Sequence, residues 1–377
     1  MTDRSRLVSL AQDLVTINSE NPPGSEAEVA SILQTHMEDH GISCVSIGPR
    51  ARPNLLFSTI EDEIGPLVIH GHMDTVPVGP RNSWTHDPFG GEIVDGLLFG
   101  RGAADMKGPV AALAETMIQY SNERHSIPLL MLATSGEESG FTGAEEVAKN
   151  GRLNGVQYGV CAEPTSLNVL VGEKGIFWSR VISEGKAAHG SRPEEGINAI
   201  ELCIQALEVL TGNEYDYEPD FLLGTQTIGV GLIQGGVKVN VVPDTCEAFL
   251  DMRIVKGQTP ESLLDDMNKR LVEAGLSDHV RVETVHGASA TITPIDSEIV
   301  SVSIDAVRRI TGIEPKPAAA TYGTDCSVLQ PKIGIINVIC GPGSIEQAHQ
   351  PDEFIDIEQL VQSVGVYLEI ARHFSRT

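Results

Sequence analysis

One pattern recurs along this chain and restricts what it can fold into: a short β-rich apolar run stops, glycine or proline intervenes, and a metal-competent side chain appears. The stretch Leu67 to Pro77 (LVIHGHMDTVP) shows it first, with Val68 and Ile69 ending a buried strand and His72 and Asp74 following. Ile127 to Ala133 runs into SGEESG, which carries Glu137 and Glu138. Tyr158 to Cys161 runs into Glu163-Pro164, and Ile335 to Cys340 into GPG and then His349. In open α/β sheets, ligands gather beyond the carboxyl ends of the strands, so the chemistry is expected along one edge of such a sheet. Residues two apart on an extended segment face the same side. Asp74 can therefore accept a hydrogen bond from one nitrogen of His72 and leave the other for a metal.

A second feature is the glycine-rich loop Gly100 to Asp105 (GRGAAD), leading into a helix expected to start near Pro109. Its small residues leave room for another group to approach Asp105 closely. It fails as a phosphate loop, because the third glycine of a dinucleotide fingerprint is missing and its last position is an acid. No Gly-x-Ser-x-Gly elbow offers a serine-hydrolase route.

At 377 residues the chain is long enough for two domains. Its 52 acidic residues against 26 Lys and Arg leave a net charge of −26, which argues against nucleic acid or an anionic membrane as partner. Six cysteines, at 44, 161, 203, 246, 326 and 340, form no Cys-x-x-Cys pair and read as buried thiols. The first ten residues lack a signal-type apolar region and no apolar run approaches membrane-spanning length, so a cytoplasmic location is the expectation.

Residues 4 to about 40 have the spacing of two helices, with Ser25 and Glu28 forming a capping-box signature for the second. Strands are expected at 43–47 and 54–59, and helices at 297–310 and 357–374. Between residues 175 and 287 the pattern changes. Strand 176–183, helix 196–210, strands 226–233 and 246–254, helix 261–274 and strand 280–285 follow in the order of a ferredoxin-like αβ sandwich. This predicts a discontinuous first domain, 1–174 with 288–377, and a second inserted at 175–287.

His72, Asp105, Glu137, Glu138, Glu163 and His349 thus fall in loops after or near strand ends. Carboxylate and imidazole are the donors zinc takes when a site must stay open to water and substrate. So many donors suggest two divalent ions sharing a bridging carboxylate, about 3.5–4 Å apart, with cobalt or manganese able to use the same donors.

The chain resembles the M20 metallopeptidase family, which includes acetylornithine deacetylase, succinyl-diaminopimelate desuccinylase, aminoacylase and glutamate carboxypeptidase. The motifs HMDTVP (72–77), GRGAADMKG (100–108), Glu137-Glu138, Glu163-Pro164 and HQPDE (349–353) match its pattern in order, and the likeness spans essentially the whole chain. The resemblance implies an α/β fold with a zinc-peptidase-like mixed sheet flanked by helices, and an inserted lid and dimerisation domain. It implies one zinc on His72 and Glu163, another on Glu138 and His349, Asp105 bridging, Asp74 orienting His72, and Glu137 as general base toward a zinc-activated water. It implies a cis peptide after Asp105. His189 corresponds to the family histidine that reaches the neighbouring subunit's site and stabilises the oxyanion, and Arg253 to an arginine that grips the substrate carboxylate, with Asn240, Gly323 and Thr324 nearby. The function implied is hydrolysis of the amide of a small N-acyl amino acid by a homodimer joined through the inserted domain. A dipeptide substrate, as for the carboxypeptidases of the family, is the alternative, and an inactive metal-binding scaffold a third reading.

Overall fold

In a computed structural model the chain is described over residues 2–61, 63–123, 125–212 and 215–375. It divides into two compact units. The first comprises Met1–Gly172, Ile292–Ala318 and Thr324–Thr377, the second Glu173–Thr291 and Ala319–Gly323.

The first unit is built on a mixed sheet. Neighbouring strands run in the order Ser43–Ile47, Asn54–Ser58, Leu130–Thr134, Leu67–His72, Tyr158–Pro164 and Ile336–Gly341. The last four are mutually parallel, and the first two are joined antiparallel at one side. Leu67–His72 and Leu130–Thr134 are buried along their whole length, as continuous apolar runs covered on both faces should be. Parallel strands end on the same edge, so the segments after His72, Thr134, Pro164 and Gly341 all emerge there. The helix Lys107–Asn122 is buried on nearly every side and packs against Arg4–Thr16 and Ile357–Phe374. Asp3 and Asp356 cap those two outer helices, their carboxylates accepting from the backbone N–H of Arg6 and Glu358.

Three local expectations change. The strand of His72 runs through His72 itself, and the helix after the glycine loop starts at Lys107, with Pro109 still in its first turn. The Ser25/Glu28 capping box does not form. Glu26 is the N-cap of Ala27–Asp39 without a side-chain cap bond, because its carboxylate is buried against Arg52, 3.3 Å from Nε. Helices Thr142–Asn150 and Cys326–Ile333, which pack on each other, were too short to announce themselves by periodicity.

In the second unit, strand Gly175–Glu184, helix Ala199–Thr211, strands Thr227–Gly235 and Thr245–Ile254, helix Pro260–Glu273 and strand Val280–Ala288 follow in turn. Numbered within the unit, the strands lie in the order 2-3-1-4 and every neighbouring pair is antiparallel, the ferredoxin-like arrangement. Alternate residues of Thr245–Ile254 are buried, and Ala248, Leu250 and Met252 pack with Phe177, Cys203, Leu210, Leu263 and Met267 into one core. Thr259 and Ser262 form a reciprocal capping box at the second helix, with Pro260 as its first residue.

Candidate metal centre

Asp105 is held at the end of the glycine loop, and its two carboxylate oxygens face different partners. Oδ1 lies 3.1 Å from His72 Nε2, and Oδ2 lies 3.4 Å from His349 Nε2. His72 Nε2 is also 3.5 Å from Glu163 Oε1, and His349 Nε2 is 3.3 Å from Glu138 Oε1. Two imidazole–carboxylate pairs therefore share one aspartate. His72, Asp105 and Glu163 form one group whose ligand atoms lie within 4.8 Å of one another, and Asp105, Glu138 and His349 form the other. That donor set fits two oxygen- and nitrogen-ligated divalent ions with Asp105 between them. The loop backbone makes it possible. Gly102 has φ +85°, and a Cβ there would lie 2.8 Å from Thr75 Cγ2 and 2.9 Å from Lys107 Cδ, so only glycine fits. The Asp105–Met106 peptide is cis.

The charges in this cluster are unbalanced without cations. Burial opposes the charge on Asp105, yet the hydrogen bonds from His349 and His72 hold its carboxyl well below the usual carboxylate range. Burial pushes Glu137 and Glu163 well above that range. Neighbouring carboxylates add to this, Glu163 and Glu138 for Glu137, and Asp105 and Glu138 for Glu163. Glu138 is raised by burial and by Asp105. Bonds to Asp105 and Glu138 raise His349 to about 10. Burial works against a charged His72, but Asp105, Glu163 and Glu137 together lift it well above its ordinary value. These protons stand where cations would balance the same carboxylates.

A surrounding layer fixes the ligands. His72 Nδ1 donates to the backbone carbonyl of Asp74 at 2.9 Å, while the Asp74 carboxylate is 3.6 Å away. This corrects the expected bond in detail. The carboxylate is engaged elsewhere, accepting from the backbone N–H of Glu137 (3.1 Å) and Glu138 (3.2 Å) and from Asn21 Nδ2 (2.9 Å). Asp74 thus positions both glutamates directly. Glu353 accepts from the backbone N–H of Ala104 and Asp105, each at 2.9 Å, and from Arg101 Nη1 at 2.6 Å. Asp352 accepts from the backbone N–H groups of Thr85 and His86 and from the Thr85 hydroxyl, which anchors the segment that presents His349.

The remaining sequence candidates fall as follows. His189 is exposed, with Nδ1 2.7 Å from Ser191 Oγ, on a two-stranded ribbon that pairs it with Val241 next to the exposed Asn240. Arg253 is partly buried and ion-paired with Asp251, Nε to Oδ1 3.2 Å. Gly323 belongs to the second unit with these three, and Thr324 to the first. Thr324 is buried and its hydroxyl accepts from the backbone N–H of Cys326. Arg101, Glu353 and Asn21, which hold the Asp105 loop and Asp74, were missed as functional residues. Arg101 and Glu353 stand inside the motifs, but a charged residue in a glycine or proline loop gives no sign of facing inward. Asn21 carries no signal at all.

The fold and site together define a two-unit α/β protein with a carboxylate–imidazole centre suited to a pair of divalent ions. Residues 68–373 match the model of peptidase family M20/M25/M40. The chain is 33% identical over 361 residues to an acetylornithine deacetylase of Proteus mirabilis (strain HI4320), covering 92% of this chain and 90% of the relative. It is 31% identical to the enzyme of that name from Edwardsiella ictaluri (strain 93-146), over 93% and 91% of the two chains. Among solved structures, an M20 family metallo-carboxypeptidase from Sulfolobus solfataricus superposes with a TM-score of 0.84 at 19% identity, each chain covered in full. A dinuclear metal-binding peptidase of the family from Bacillus subtilis gives 0.74 at 19% identity, with 99% of each chain covered. The chain belongs to the M20 family and is a metal-dependent hydrolase of amide or peptide bonds. Among the described residues no helix is long and apolar enough to cross a membrane.

Proposed function

We propose that this chain removes the acyl group from a small N-acyl amino acid of the acetylornithine type, using two zinc ions. The observation that carries the metal assignment is the divided Asp105 carboxylate, with one oxygen toward His72 and the other toward His349. In this reading His72 and Glu163 hold one ion, Glu138 and His349 the other, and Asp105 both. Bound there, the ions would supply Lewis acidity toward an amide carbonyl and acidify a water. The residues do the rest. Glu137 takes a proton from the attacking water and returns it to the departing amine. Asp74 holds the Glu137 and Glu138 backbones so that the base and a ligand keep their spacing. The substrate preference follows the deacetylase relatives, which match over more than nine-tenths of this chain.

The second unit is assigned the role of an inserted lid and dimerisation domain. His189 donates to the oxyanion in the neighbouring subunit's site, and Arg253 exchanges Asp251 for the substrate carboxylate with Asn240, Gly323 and Thr324 alongside. Support for a homodimer comes from strand Thr227–Gly235, which ends its sheet and exposes Val230, Leu232 and Ile233. A cytoplasmic location is proposed with it. The test is a panel of N-acetyl, N-succinyl and dipeptide substrates on chelated enzyme reconstituted with zinc. N-Acetyl amino acids are expected to turn over with the highest kcat/KM. Turnover of dipeptides alone would replace the deacylase reading with the peptidase one.

A further inference from the structure

A chain of polar side chains leads from Asp74 back toward solvent. Asn21 Nδ2 carries two hydrogens and has two acceptors, Asp74 Oδ2 and Ser139 Oγ, each at 2.9 Å. Ser139 Oγ also accepts from Arg52 Nη2 at 3.2 Å, and Arg52 Nε donates to Glu26 Oε1 at 3.3 Å. Asp74 and Glu26 are fully buried, whereas the Arg52 side chain keeps 29% of its surface exposed. The guanidinium lies so close to Gly24 and Gly136 that a Cβ on either would collide with it. Gly24 follows Asn21 by three residues, and Gly136 immediately precedes Glu137. Arg52 is therefore wedged between the loop that steadies Asp74 and the loop that carries Glu137 and Glu138.

We propose that Arg52 is a positioning residue for the hydrolysis, holding the Glu137–Glu138 loop in place against Asp74. The proposal rests on the reading of Glu137 as the base. Charge supports it first. Burial raises the proton affinity of Glu26 and the nearby Asp74 raises it further, while Arg52 acts the other way. Glu26 Oε2 has no hydrogen-bond partner among the described residues, so the contact with Arg52 at Oε1 matters the more. Without Arg52 the buried Glu26 loses a counter-charge, and its repulsion falls on Asp74, whose oxygens hold the backbone N–H groups of Glu137 and Glu138. Shape supports it next. The planar guanidinium reaches Glu26 with Nε and Ser139 with Nη2 at once, a fixed fork that an ammonium group lacks. Position in the chain completes the case. Ser139 directly follows Glu138, so a grip on its hydroxyl is a grip on the loop, and a shift of about 1 Å at a reacting group costs up to about 10²-fold in rate.

The test compares zinc-loaded Arg52→Ala, Arg52→Lys and Glu137→Gln with the native chain, on the N-acyl amino acid or dipeptide that the native chain turns over best. Arg52→Ala should lose about 10–10²-fold in kcat while KM and zinc content stay unchanged. Arg52→Lys, which keeps the charge without the fork, should fall between the two. Because the Arg52 side chain reaches solvent, guanidinium at non-denaturing concentration should restore kcat of Arg52→Ala along a saturating curve, and ammonium chloride of equal strength should not. An arginine that only stabilises the fold gives neither the kcat-against-KM split nor the rescue. Native kcat in Arg52→Ala beside a crippled Glu137→Gln overturns this proposal alone, and so does a loss that guanidinium leaves unrestored. A fully active Glu137→Gln overturns the base assignment and the proposal with it. If Arg52→Ala fails to fold, Arg52→Lys decides: a lowered kcat at unchanged KM upholds the proposal and a native kcat overturns it.

Discussion

Glu353 and Arg101 form an ion pair at 2.6 Å in which both side chains are almost completely buried. The other Glu353 oxygen takes the backbone N–H groups of Ala104 and Asp105. The HQPDE segment therefore supplies a candidate ligand in His349 and, four residues on, the carboxylate that locks the Asp105 loop. Removing one partner of a buried pair strands the other charge, so Glu353→Ala should cost about 3–5 kcal/mol of unfolding free energy. Denaturant unfolding of the metal-free chain checks it, and a loss below about 1 kcal/mol would show that the pair is not load-sharing with the loop.

Glu137 is assigned proton transfer and no ligand role. Glu137→Gln should lower kcat by about 10²–10⁴-fold, the contribution of a positioned acid–base group, while metal content stays unchanged. Steady-state kinetics beside metal analysis checks this. A variant that loses metal in step with activity would move Glu137 into the ligand set.

Removing the metals should make stability pH-dependent in a stated direction. Glu137, Glu138 and Glu163 bind protons more tightly folded than unfolded, so their contribution is present at low pH and lost as pH rises from about 4.5 through their raised values. The histidines act with the same sign, His349 losing its contribution as pH rises from 6.5 through about 10. The chelated chain should therefore melt progressively lower from pH 5 to pH 9, and the gap to the metal-loaded chain should widen. Thermal scans of both forms across that range test this, and a constant gap would contradict it.

The dimer prediction rests on the exposed edge strand. The native chain should sediment as a dimer, and replacing Leu232 and Ile233 by lysine should give a folded monomer, because charge on an edge blocks strand-to-strand pairing. A native monomer at assay concentration would remove the dimer from the account.

Much of this architecture was legible in the sequence because long-period signals carry it. Buried parallel strands read as apolar runs, and the second unit's strand and helix order gave its topology before any coordinate. Five of the clustered donors were legible because they stand at or after the ends of parallel strands that finish on one edge, whereas Asp105 comes on the glycine loop after Leu97–Phe99 of a separate three-stranded sheet. What stayed hidden depends on side-chain direction. Asp74 was read as the carboxylate partner of His72, yet its carbonyl takes that bond and its carboxylate caps the Glu137–Glu138 backbone. Ser25 and Glu28 made a capping pattern that lost to the burial of Glu26. Arg101 stands in a loop of small residues whose spacing gives no sign of its burial. Tertiary burial decided each of these, and local spacing carries no record of it.

The central claim is that Asp105 stands between two ions, and anomalous diffraction from zinc-loaded crystals tests it most directly. Two anomalous peaks are expected flanking the Asp105 carboxylate, about 3.5–4 Å apart, one beside His72 and Glu163 and the other beside Glu138 and His349. A single peak, or none within bonding distance of Asp105, would contradict it.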